Sequence, residues 1–81
     1  MDSRVFQSHL QIALKKRYGR LPTAKRLVQD IYLHSSGNVN LSNEAVRKWI
    51  TGQSIPRGEH MLYLAHVLGQ DNLSWLETYK N

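Results

Sequence analysis

Cysteine is absent from the 81 residues, so neither disulfides nor thiolate metal sites can hold the chain together, and stability must come from helix packing. Period-two alternation of apolar and polar residues is missing too, which argues against strands. Long apolar runs are lacking, so no segment is fit to span a bilayer. The opening Met-Asp-Ser-Arg-Val-Phe does not have the basic start and apolar run of a secretion signal. No repeat, low-complexity tract or linker divides the sequence. These absences lead us to expect one small cytoplasmic domain over residues 1–81, close to the lower size limit for a self-sufficient apolar core.

Signatures of catalysis are also missing. There is no Gly-rich phosphate loop, clustered carboxylate pair or Ser-His-Asp order, and a globule of this size has little room for a buried pocket. His9, His34, His60 and His66 form no i, i+4 pair and have no cysteine partner. The expectation is a protein that is not an enzyme and carries no metal or cofactor.

Acidic residues are scarce where basic ones gather. The net charge is +5, but residues 4–57 hold ten Lys or Arg against only Asp30 and Glu44, whereas residues 58–81 sum to −2. A field of this kind draws polyanions and makes their binding salt-dependent. Charge alone does not separate a nucleic-acid binder from a protein that is basic for solubility.

Helical periodicity accounts for most of the chain. The first helix is expected from Arg4 to Tyr18, with Ser3 as its cap, Phe6, Leu10, Ala13 and Leu14 along one face, and Gly19 as its stop. A second begins after Thr23 and runs to about Leu33 or His34, with Leu27, Val28, Ile31 and Tyr32 as its apolar positions. Turn formers come next at Ser35-Ser36-Gly37-Asn38. Ser42 caps a third helix, in which Ala45, Val46, Trp49 and Ile50 form the inner stripe, and Gly52 is placed for a left-handed stop. Pro56 leads into a fourth, about Gly58 to Leu68, with Met61, Leu62, Ala65 and Leu68 facing in. A fifth is expected over roughly Asn72 to Tyr79. The fold class is therefore all-α, five short helices in one compact unit.

The third helix and the loop after it carry a resemblance. The spacing Ser42-x-x-x-Val46-x-x-Trp49-x-x-Gly52-x-x-x-Pro56 is similar to the recognition helix and adjoining loop of the lambda-repressor-like (Cro/C1-type) helix-turn-helix family. Leu64-Ala65-x-x-Leu68-Gly69 resembles the end of that family's fourth helix, and Trp75-Leu76 its short closing helix. The likeness covers Leu41 to Leu76. One departure is visible: about eight residues separate Leu33 from Ser42, longer than the family's tight turn. Either the second helix is extended, or an open loop surrounds Gly37 and Asn38.

The resemblance implies a sequence-specific regulator of transcription, a repressor that occupies an operator, binding double-stranded DNA through the major groove. Asn43, Glu44 and Arg47 become candidates for base edges, because Asn pairs with adenine, Glu accepts from cytosine and Arg bridges the acceptors of guanine. Thr23, Lys25, Lys48, Gln53, Ser54 and Arg57 become candidates for phosphate, with Arg17 and Arg20 as outlying ones. Simpler roles stand beside these. Glu44 also suits a first-turn acid, Arg47 an ion pair with Glu44, and Thr23 a cap. Trp49 is better explained as core than as a stacking platform. Tyr63, Trp75 and Tyr79 suggest an apolar patch through which two copies could pair. The rival function on the same helices is a protein-interaction module, an antirepressor or co-regulator.

Overall fold

The computed structural model describes residues 3–69, which form four α-helices: α1 (Ser3–Tyr18), α2 (Ala24–His34), α3 (Asn43–Ile50) and α4 (Glu59–Leu68). No strand occurs among the described residues. The fifth helix expected over 72–79 lies outside them.

In α1 the apolar positions recur at i, i+4, i+7 and i+8, and Phe6, Leu10, Ala13 and Leu14 are all buried. Lys15, Lys16 and Arg17 occupy the last turn, where the helix dipole favours cations. Ser3 is not a cap. It already lies within α1, and its hydroxyl donates to the carbonyl of Gly52, 2.6 Å away.

Thr23 caps α2 as expected, its hydroxyl accepting the Arg26 N–H at 3.1 Å. Leu27 and Ile31 are buried, Val28 is half-buried, and Tyr32 is exposed. The helix packs against both α3 and α4, while α1 also meets these two. Between them lies one core, built from the α1 stripe, Leu27, Ile31, Val39, Val46, Trp49, Ile50 and the inner face of α4.

That inner face differs from expectation at three positions, losing Leu62 and gaining Leu64 and Val67. Met61, Leu64, Ala65, Val67 and Leu68 are buried, whereas Leu62 is exposed. Leu62 is one residue, about 100° of helix turn, from Met61, and the i, i+3, i+4, i+7 row from Met61 runs through Leu64, Ala65 and Leu68 instead.

The α1–α2 corner is tied by charge. Tyr18 donates its phenolic proton to Asp30, Arg26 Nε lies 3.3 Å from the same carboxylate oxygen, and the Arg17 and Arg26 guanidinium groups stand 5.2 and 5.6 Å from the Tyr18 ring centre. Burial first, then the hydrogen bond to Asp30 and its negative charge, raise the Tyr18 pKa well above the ordinary tyrosine value, against the opposing pull of the two arginines. A folded-state pKa raised above the unfolded one contributes stability that is complete below about pH 10 and lost as pH rises further. Denaturation midpoints measured across that alkaline range should fall, and Tyr18→Phe should flatten the fall.

Candidate nucleic-acid interface

The eight-residue connection, 35–42, determines where α3 begins. The second helix is not extended; it ends at His34 in a hydrogen-bonded reversal. The Ser36 N–H donates to the Leu33 carbonyl at 3.1 Å and the Gly37 N–H to the Tyr32 carbonyl at 2.8 Å, the pair of bonds that closes a helix when the residue after the C-cap turns left-handed. Ser36 fills that place at φ 53°, a strained setting for a non-glycine residue. Buried Ser35 then anchors the loop, donating to the Tyr32 carbonyl and accepting the Val39 N–H at 2.9 Å, while Val39 enters the core. The chain reaches Ser42 extended, and the Ser42 hydroxyl caps α3 by accepting the Ala45 N–H at 3.1 Å.

On α3 the two faces separate cleanly. Val46, Trp49 and Ile50 are buried, and Ala45 is half-buried. Asn43, Glu44, Arg47 and Lys48 are exposed. Trp49 is 4% exposed, with the His60 ring 6.2 Å away, so it is a core residue with no face free for stacking a base. Glu44 and Arg47 are joined by a two-pronged ion pair: Arg47 Nε donates to Glu44 Oε2 at 3.1 Å, and Nη2 donates to Oε1. The hydrogen bonds from Arg47 hold the Glu44 carboxyl below its ordinary pKa, and those to Glu44 raise that of Arg47.

The carboxyl end of α3 is sealed by α1. Gly52 comes after the C-cap Thr51 at φ +80°, letting Gly52 N–H reach the Trp49 carbonyl and Gln53 N–H the Lys48 carbonyl at 2.8 Å. Three side chains spaced four apart on α1 supply further donors. Ser3 reaches the Gly52 carbonyl, while Gln7 and Gln11 both reach the Ile50 carbonyl, at 3.2 and 2.9 Å. The Ile50 carbonyl is among those an α-helix leaves without internal partners, and the Gly52 carbonyl belongs to the turn just beyond. Ser3, Gln7 and Gln11 are the positioning residues that sequence reasoning missed. Their i, i+4, i+8 spacing is visible in the sequence, but their target, some forty residues away, is not.

The remaining candidates fall into two groups. Gln53 and Ser54 fold back on the last turn of α3: the Gln53 side chain donates to Thr51, and the Ser54 N–H reaches the Lys48 carbonyl at 3.3 Å. They thus adjoin exposed Lys48, with exposed Arg57 three residues further on. Thr23 and Lys25, both exposed, stand on a different element, the first turn of α2. Arg17 has a structural partner, donating from Nε to the Val67 carbonyl at 3.1 Å. Exposed Arg20 lines a polar cleft with Tyr18, Thr23 and Arg26. Of the proposed pairing patch, Tyr63 is half-buried against the core with the His66 ring 5.4 Å away, and Trp75 and Tyr79 lie outside the described residues.

A second surface feature lies on the outer side of α2. Val28, Gln29, Tyr32, Leu33 and Asn40 line a shallow, uncharged groove of about 540 Å³, in which Leu33 is 69% exposed. Among the described residues no group of three or more His, Asp or Glu is placed to hold a metal, and no helix is long and apolar enough to cross a membrane. Comparison of the chain with protein-family models, curated proteins and solved structures gave no match.

Proposed function

We propose that the protein is a sequence-specific double-stranded DNA-binding regulator, a cytoplasmic repressor whose helices take the lambda-repressor-like arrangement, with α3 as the recognition helix. One observation carries this reading. A short, capped helix is held by hydrogen bonds at both ends and turns Asn43, Glu44, Arg47 and Lys48 outward, in a part of the chain where basic residues far outnumber acidic ones. Rigid elements present base-reading side chains more accurately than loops do. In this docking mode the amino-terminal half of α3 enters the major groove, so Asn43, Glu44 and Arg47 face the bases, with Glu44 acting either as a reader itself or as the partner that orients Arg47.

Lys48, Gln53, Ser54 and Arg57 grip phosphates beside the carboxyl end of α3, and Thr23 and Lys25 do so from the start of α2. Pairing of two copies, with Tyr63, Trp75 and Tyr79 as the candidate surface, would place two half-sites about one turn of DNA apart. Occupying an operator and excluding polymerase needs no catalytic site, metal or cofactor.

Two substitutions separate the roles. Arg47→Ala should weaken binding by about 1–3 kcal/mol and relax preference at one base pair, whereas Lys25→Ala should weaken all duplexes alike and lower the salt slope by about 1. Titration of specific and random duplexes at several salt concentrations reads both. Equal losses on the two duplexes for both variants would contradict the assignment.

The groove on α2 favours a second reading, a protein-interaction module acting as antirepressor or co-regulator. Exposed Leu33 and Tyr32 beside half-buried Val28 are apolar surface of the kind that partners cover. This reading predicts weak, sequence-indifferent duplex binding that salt abolishes.

A further inference from the structure

We infer that Glu44 is a specificity-determining residue that acts through Arg47, holding the guanidinium away from backbone phosphates while leaving it able to engage a guanine edge. The inference rests on the duplex reading above. A guanidinium has two edges on which it can form paired hydrogen bonds. Glu44 occupies the one formed by Nε and Nη2. The edge formed by Nη1 and Nη2 points away from that carboxylate and retains its donors. Both residues are exposed, so the open edge is accessible to solvent and ligand.

Phosphate and guanine differ in how they meet this pair. A phosphate carries a full negative charge, and on the open edge of Arg47 it also feels the Glu44 carboxylate across the guanidinium, so repulsion removes part of the attraction. Guanine presents O6 and N7, two neutral acceptors spaced for an arginine edge, and takes the fork with little repulsion. Coupling the arginine to a neighbouring acid thus penalises the sequence-independent contact more than the sequence-reading one, which is how a repulsive element raises specificity. Lys48, next to Arg47 and exposed, feels the charge of Glu44 one turn back but is not hydrogen-bonded to it, and it remains the phosphate contact.

The test compares Glu44→Gln with Glu59→Gln, which changes the net charge equally but lies at the exposed start of α4. Binding of a random-sequence duplex and of a duplex chosen by selection is measured across a salt series. Glu44→Gln is expected to tighten random-duplex binding several-fold and steepen its salt slope by about 0.9, the value for one added phosphate contact. The ratio of specific to random affinity should fall, and adding Arg47→Ala to Glu44→Gln should abolish the gain. Equal behaviour of the two Gln variants would overturn the inference, because only net charge would then matter. Weakened specific binding with unchanged random binding would also overturn it, showing Glu44 to contact a base itself. Absence of salt-dependent duplex binding in the unaltered protein would instead overturn the duplex reading, and the inference with it.

Discussion

Trp49→Ala should cost about 3–5 kcal/mol of folding stability, a large part of the roughly 4–12 kcal/mol typical for a chain of this length. The side chain is 4% exposed and lies between α3 and α4, where the His60 ring approaches it. Truncation leaves a cavity at the point where α3 is held against the body, and surrounding groups collapse into it only in part. Urea denaturation should show the loss as a lower midpoint, and Trp49→Phe should recover much of it. Duplex binding should fall because α3 loses its seat. An exposed stacking residue would behave in the opposite way: single-strand binding would drop while the unfolding midpoint stayed in place.

Gly52→Ala is the second large effect, and it acts on the other end of the same helix. At φ +80° an L-residue pays about 1–2 kcal/mol that glycine does not. A Cβ there would also stand 2.6 Å from Gln7 Oε1 and 2.9 Å from its Cδ, so the Gln7 side chain must move. Moving it breaks the donation from Gln7 to the Ile50 carbonyl, worth about 0.5–1.5 kcal/mol. The sum, about 1.5–3.5 kcal/mol, should lower Tm by about 6–28 °C in a domain of this size. Gln7→Ala/Gly52→Ala should cost less than the two single changes added together, since the clash disappears with the amide. Additivity would show that Gln7 does not mediate the effect.

Local signals explain what could be read from the sequence. Ser42, the stripe Val46-Trp49-Ile50 and Gly52 act within one or two turns of each other, and the structure places each as its type suggests. The same holds for Thr23 and for the α1 stripe. Contacts between distant segments were not legible. Ser3 has the type of a cap but lies within α1 and donates to distant Gly52, and Leu62 and Leu64 are distinguished only by which side of α4 meets the other helices. The length of the 35–42 connection was visible, but its anchoring by Ser35 and Val39 needs the fold. For Arg47 the sequence left two roles open, a base contact and an ion pair with Glu44. The pair forms in the free protein, and it turns the base-contact proposal into a question about which edge of the guanidinium remains.

We propose α3 as the element that reads duplex DNA. Selection of bound duplexes from a random-sequence library, at near-physiological salt so that electrostatic background does not mask specificity, tests it directly. An enriched motif is the expected result, two-fold symmetric if two copies bind together, with enrichment at one base pair lost in Arg47→Ala. Lack of enrichment, with binding that vanishes as salt rises, would contradict the claim and turn attention to the uncharged groove on α2.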